Sequence, residues 1–369
     1  MTASILVFNA GSSSLKFGAW RVADRGAEPE LLLRRTAESA GEGISDVLRW
    51  LLQQPEIAPI MAVGHRIVHG GANHAAPIRI DERVLLELEG LVPLAPLHQP
   101  QGLAAVREVA RALPEAIQVA CFDTAFHRSQ PAVAQSYSLP VALRERGLCR
   151  YGFHGLSCEH ALRVLKGSAP EAIGNGRVII AHLGAGASLT AVQGGHSIAT
   201  TMGFTPLDGL PMASRCGGID PGVLLYLLRN GFDVDSLERL LYRESGLLGL
   251  SGTSGDMRTL LASEAQDPAA RFAIEYFIYR AMREAGSLAA ALCGLDCLVF
   301  TGGIGEHQPR IRERLAAGLA WLGVQIDPAA NERGDTIISS KGSRVLCRLI
   351  AADEESVIAK ATAKLLQNA

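Results

Sequence analysis

Two stretches of the chain share one pattern of apolar and polar positions. Residues 4–20 read SILVF, NAGSSS, LKFGAW, and residues 177–192 read RVIIA, HLGAGAS, LTAV. Each is a strand-length apolar run, a polar residue, a glycine turn with small neighbours, a leucine and a second apolar run. That order predicts a β-hairpin at both sites. Gly11 and Gly184 correspond, with one residue more in the second turn. Such a repeat favours a duplicated domain.

Elsewhere the period changes to that of a helix. Over residues 268–292, Ile274, Phe277, Ile278, Ala281, Met282, Ala285 and Leu288 recur at helical spacing, with Arg271, Glu275, Arg283 and Glu284 on other faces. A buried strand from Cys297 to Thr301 follows, then a tight GGIGE turn, then a helix PRIRERLAAGLAWL opened by Pro309. Near the end, RVLCRLIAA predicts a strand leading into a C-terminal helix. The run from Met202 to Pro221, MGFTPLDGLPMASRCGGIDP, has no period and reads as a long loop of the functional kind. Strand clusters followed by amphipathic helices, with glycine turns at strand ends, give an α/β class.

Length and composition narrow the function classes. A chain of 369 residues exceeds the usual single domain, and 48% hydrophobic with 20% charged residues suffices for two cores. Net charge is −2 and no window is densely basic, which argues against nucleic acid or an anionic membrane as the main partner. No apolar run reaches the roughly 20 residues that span a bilayer, and MTASILVFNAG lacks a basic leader. Seven scattered cysteines without zinc-site spacing read as free thiols in a reducing cytoplasm. Neither a G-x-x-x-x-G-K-[ST] loop nor the protein-kinase signatures occur, so any nucleotide needs another cradle.

Several polar passages sit in apolar surroundings. Asn9 to Lys16 offers backbone N–H groups, hydroxyls and an ammonium beside a strand end, all suited to phosphate oxygens. In Gly64–Gly71, Arg66 ends a short strand, and its planar fork matches a carboxylate or phosphate. Asp123 in FDTAFH and His154 in YGFHG lie among aromatics, where desolvation shifts pKa values. Arg215 sits in the long loop, and Ser251–Arg258 is another small-residue passage ending in charge. The acids Asp353, Glu354 and Glu355 precede the last helix, where they also suit its dipole.

Together these passages resemble the acetate kinase family, within the acetate and sugar kinase/Hsc70/actin superfamily. The matching strings are NAGSSSLKF, GHRIVHGG, APLHQP, FDTAFH, YGFHG, the HLGAG turn, MGFTPLDGL, SRCGGIDP, SGTSGDMR, FTGGIGEH and ADEE, in family order from residue 9 to 355. The resemblance implies duplicated ribonuclease H-like (actin-like ATPase) domains with an interdomain active-site cleft. One domain would comprise residues 1–150 plus 354–369, the other residues 151–353. It also implies transfer of the ATP γ-phosphoryl group to acetate, Mg²⁺ or Mn²⁺ dependence, and a homodimer.

Roles follow from the same resemblance. Asn9 and Glu354 would hold the metal, and Ser12, Ser14 and Lys16 would lie near the phosphates. Arg66 would bind the acid in an apolar pocket of Val68, Leu97, Phe153 and Pro206. Asp123, His154 and Arg215 would be catalytic. The nucleotide would meet His182, Leu183, Gly184, Ala185 and Gly186, then Asp256, Met257 and Arg258, and finally Gly303, Ile304, Gly305, Glu306 and His307. A carboxylic acid is ionised at neutral pH, so the nucleophile needs no base. Asp123 is therefore expected to act through alignment or metal water. Two arginines, a histidine and a divalent ion would offset repulsion between acid and phosphate.

The chain departs from the family at Cys158, usually histidine, at Ala185 and His307, usually asparagine, and at Ala199, usually aspartate. Propionate or butyrate preference and pyrophosphate as donor stay open, because one methylene is worth only about 1–3 kcal/mol. A noncatalytic nucleotide-binding regulator would be expected to lose the charged set, which is intact here. A sugar kinase would need a polar pocket.

Overall fold

The computed structural model describes residues 3–11, 14–23, 27–38, 43–57, 59–174 and 176–367. It contains two mixed sheets with helices, an α/β class. The first sheet is formed by β1 (Ala3–Ala10), β2 (Ser14–Val22), β3 (Glu30–Glu38), β4 (Ile60–Ile67), β5 (Ile78–Arg79) and β6 (Ile117–Phe122), in the order β3-β2-β1-β4-β6-β5. The second is formed by β7 (Arg177–Leu183), β8 (Ala187–Gln193), β9 (His196–Thr200), β10 (Cys297–Thr301) and β11 (Leu346–Leu349), in the order β11-β10-β7-β8-β9.

These two orders are the same fold written twice. In the first sheet β1, β2 and β3 pair antiparallel, while β4 and β6 add in parallel on the other side of β1. In the second, β7, β8 and β9 pair antiparallel, while β10 and β11 add in parallel beside β7. The hairpins at Gly11 and Gly184 occupy equivalent places, β1–β2 and β7–β8. Sequence shows only the hairpins as a repeat. The third strands and the parallel additions emerge from the strand orders.

The chain divides into two compact units. The first comprises residues 1–128, 153–160 and 353–369, the second residues 129–152 and 161–352. The expected boundary near 150 leaves residues 129–150 in the first domain. The structure instead ties that segment to the second unit through bonds from Ser129 Oγ to the Ser197 carbonyl, 3.3 Å, and from Arg150 Nη1 to the Thr201 carbonyl, 3.1 Å.

In the first unit β1 is buried on both faces, which explains its unbroken apolar run. Leu6 and Phe8 enter a core with Phe17, Val47 and Leu51, while Ile5 and Val7 face Val357, Ile358 and Ala359 of the C-terminal helix Glu354–Gln367. That helix lies so close to β4 that a Cβ on Gly64 would fall 2.3 Å from Thr362 Oγ1. A side chain there would push away the helix whose first residue is Glu354.

In the second unit the strand Cys297–Thr301 and the helix Pro268–Ala291 form where the pattern places them. The GGIGE segment differs from its expectation as a turn. Gly302–His307 is a short helix, and Pro309–Gly318 follows at once. Glycines mask this short helix in a propensity reading. All seven cysteines are free. Among the described residues, no helix is long and apolar enough to cross a membrane.

Candidate functional site

The first unit gathers charge at the carboxyl ends of its parallel strands, where open α/β sheets bind ligands. Asn9 stands at the end of β1, Arg66 at the end of β4, and Asp123 directly after β6. The C-terminal helix adds Glu354 and Glu355 in its first turn. Arg66 holds Asp123 with one edge of its fork: Nε donates to Oδ1 at 3.0 Å and Nη2 to Oδ2 at 2.6 Å. Its Nη1 donates to Asn9 Oδ1 at a looser 3.3 Å. Asn9 Nδ2 in turn donates to Glu354 Oε2 at 2.9 Å and to Glu355 Oε1. Glu354 also lies 4.0 Å from Arg66 Nε.

Asp123 is 1% exposed, so its state depends on that fork. Burial pushes its carboxyl above the usual range, and the charge and hydrogen bonds of Arg66 pull it back. Burial works against the Arg66 cation, but Asp123, Glu354 and Glu355 outweigh it and raise its pKa. The two bonds from one guanidinium favour the ionised form of the pair against the effect of burial. Glu355 is raised by burial and by the neighbouring Glu354, against Lys16, Asn9 and Arg34. Arg34 supports this end by binding Asp353 at 2.6 Å.

Much of the expected acid-binding set also belongs to this unit. Val68 and Phe153 are buried there and Leu97 is half-buried, whereas Pro206 belongs to the second unit. The structure commits the bidentate edge of Arg66, expected to meet a substrate carboxylate, to Asp123. His154 lies in the same unit, nearly buried, with φ +59°. Lys16 is exposed on β2, opposite Asn9 in register. Ser12 falls outside the described residues, and of Ser14 only the backbone, at the start of β2, is described.

The second unit holds a cavity of about 400 Å³. Its walls include Gly184 and Ala185 from the β7–β8 turn, Asp256, Met257 and Arg258, and Gly303, Ile304 and His307. Three separated segments predicted for one ligand thus line one space. Ala213, Gly255 and Gln308 complete it, and the sequence reading missed them. The bond from Ala213 N to the Ala185 carbonyl, 3.1 Å, brings the long loop to the turn. Asp256 caps the helix Met257–Ser263 through Arg258 N at 2.8 Å and grips the Arg258 side chain, which holds its carboxyl below the ordinary range.

The other members of the predicted nucleotide set do not line that space. Leu183 is core, and the Glu306 side chain accepts from Ala352 N at 2.9 Å. His182 and Gly186 are likewise absent from the walls, and the Gly305 carbonyl accepts from Arg312 Nη1 at 2.9 Å. Arg215 donates from Nη1 to the Pro206 carbonyl at 2.8 Å, which ties its guanidinium to the loop.

Two further residues escaped the sequence reading. Glu355 shares Asn9 with Glu354, a sharing its position in the DEE run leaves ambiguous. Arg312 is 1% exposed and spends its guanidinium on Gly305, Glu306 and Asn331 beneath the cavity wall. It occupies the buried stripe of its helix with Ile311, Leu315 and Ala316, but nothing in the sequence marks the carbonyls that hold it.

Comparison with known proteins agrees with this arrangement. Residues 33–360 match the acetokinase family. An acetate kinase from Nitrobacter hamburgensis is 49% identical over 98% of this chain and 96% of its own length. One from Rhodopseudomonas palustris is 47% identical over 98% of both. Among solved structures, a propionate kinase from Francisella tularensis superposes with TM-score 0.87 at 35% identity, covering 98% of this chain and 99% of that one. An acetate kinase from Porphyromonas gingivalis gives 0.84 at 32% identity, covering 98% of both. Matched across nearly its whole length in sequence and in fold, the chain belongs to the acetokinase family.

Proposed function

We propose that this chain is an acetate kinase, transferring the γ-phosphoryl group of ATP reversibly to acetate to give acetyl phosphate and ADP. The observation that carries this reading is the buried Asn9–Arg66–Asp123–Glu354 cluster at the carboxyl ends of β1, β4 and β6. An acetate oxygen forms a bond to the γ-phosphorus as the bond from that phosphorus to the β,γ-bridging oxygen breaks. ADP leaves with the electron pair, and no proton is removed from the acid. Arg66 carries the charge that draws in the acid, with Nη1 its least committed nitrogen, while Asp123 holds the guanidinium in plane. Val68, Leu97, Phe153 and Pro206 supply apolar contact for the methyl group. Arg215 provides positive charge and His154 a hydrogen-bond donor for the transferring oxygens, in line with the strategy of phosphoryl-transfer enzymes. The cavity at Gly184, Asp256 and Gly303 takes the nucleotide.

The donor set suits Mg²⁺. The Glu354 and Glu355 carboxylates and the Asn9 side-chain carbonyl, drawn together by the hydrogen bonds of Asn9, are hard oxygen donors of the kind Mg²⁺ prefers. Asn9 and Glu354 would hold the ion, whose charge offsets that of the phosphates. Mn²⁺ fits the same oxygens.

A second copy is the expected partner. The helix Pro221–Arg229, PGVLLYLLR, buries none of its residues, and Val223, Leu225, Tyr226 and Leu228 are exposed. An apolar face of that size on a monomer calls for cover, which supports a homodimer. The free cysteines support a reducing, cytoplasmic location. Propionate is the second reading, because the propionate kinase of Francisella tularensis superposes with the higher TM-score of the two structures described above. Phosphorus NMR of reactions with Mg²⁺, ATP and acetate, propionate or butyrate separates the two. Acetate should give the highest kcat/KM, and a preference for propionate would favour the second reading.

A further inference from the structure

His154 adopts φ +59°, a left-handed conformation that residues other than glycine rarely take. Such strain persists only where the surroundings over-determine it. Both peptide groups flanking His154 are fixed by one neighbouring segment. Before it, the Phe153 carbonyl lies 2.8 Å from His127 Nε2. After it, Gly155 N donates to the Asp123 carbonyl at 2.8 Å. The approach is so tight that a Cβ on Gly155 would stand 2.2 Å from that carbonyl oxygen. Asp123 and His127 bracket His154 from either side.

We propose that His127 is a positioning residue for the phosphoryl transfer, holding His154 in its left-handed conformation and Phe153 in the acid pocket through one hydrogen bond. The proposal rests on the roles assigned to those two residues above. A carbonyl can only accept, so Nε2 carries the proton and donates. Burial keeps the ring neutral, with its pKa lowered to about 4, so the bond is the same across the physiological range. His127 is itself anchored, its N–H bonding the Thr124 carbonyl at 3.2 Å and its ring set edge-on to Phe126 at 5.4 Å. On the far side of Phe153 stands the His69 ring, 5.5 Å away and also edge-on. The backbone of Phe153 is therefore tied by His127 while its side chain is packed by His69.

The test is a kinetic double-mutant cycle with Mg²⁺, ATP and acetate. His127→Leu should lower kcat by about ten- to a hundredfold, the scale of a misplaced catalytic group. It should raise KM for acetate through Phe153 and leave KM for ATP unchanged. The double variant His127→Leu/His154→Ala should lose no more kcat than His154→Ala alone, because one residue acts through the other. His127→Gln, which keeps a donor, should recover part of the loss. Losses that multiply in the double variant, or wild-type kcat in His127→Leu, overturn the proposal alone. Full kcat in His154→Ala overturns the reading beneath it, and the proposal with it. If the leucine variant does not fold, nitrogen NMR of the native enzyme decides: a neutral His127 protonated at Nε2 supports the proposal, and one protonated at Nδ1 overturns it.

Discussion

Arg66 shows how far a single residue can be read in sequence and where the reading ends. Its position at a strand end between glycines was legible, and so was its need for an anion. Its partner was not, because Asp123 lies 57 residues on and meets it only through the pairing of β4 with β6. Arg312 failed for the opposite reason. It sits on an apolar stripe, but a buried arginine held by carbonyls has no motif. Buried histidines give this scale its prediction. His65, stacked on Phe8 and bonded to Gln118, and His127 are both held by burial at pKa values lowered from 6.5 to about 4. Below pH 6.5 the unfolded chain takes up protons that the folded chain refuses, so stability falls as pH drops towards 4. Each contributes on the order of 3 kcal/mol to that loss. Urea unfolding at pH 7 and pH 4.5 should show the fall, and His65→Gln should make it smaller. An unchanged pH dependence would contradict the assignment of His65 as neutral.

At the scale of elements, strands with an unbroken apolar run and helices with a clear period were legible, as at Cys297–Thr301 and Pro268–Ala291. Glycine-rich passages were not, since glycine hides whether a segment turns or coils, as at Gly302–His307. Loop contacts such as Ala213 with Ala185 depend on chain folding alone. The β7–β8 turn offers a direct test, because Ala185 lines the cavity and lacks the carboxamide usual in the family. Ala185→Asn should tighten nucleotide binding by about 0.5–1.5 kcal/mol, the net worth of one hydrogen bond. Calorimetric titration with ADP measures it, and weaker binding would show that the turn does not face the nucleotide. KM for acetate should stay constant, since Arg66 belongs to the other unit.

On the scale of the whole molecule, the paired hairpins announced a duplication that the two strand orders make plain. The interruption of each unit by the other was legible only at the C-terminal helix. The transfer of residues 129–150 to the second unit depends on hydrogen bonds to backbone carbonyls that leave no trace in composition. The unburied apolar helix Pro221–Arg229 belongs to this scale as well. Leu225→Glu should convert a dimer into monomers in sedimentation equilibrium, while thermal melting stays cooperative. A protein that is monomeric before the change would refute the dimer.

The most direct measurement is hydroxamate trapping of the acyl phosphate formed from acetate, Mg²⁺ and ATP. Wild-type protein, Arg66→Ala and Arg83→Ala are compared, the last an exposed arginine paired with Glu87. Acetyl hydroxamate should accumulate with wild type and Arg83→Ala alike, and Arg66→Ala should lose at least about a hundredfold in kcat/KM. No hydroxamate from wild type, or an Arg66→Ala protein as active as Arg83→Ala, would contradict the account.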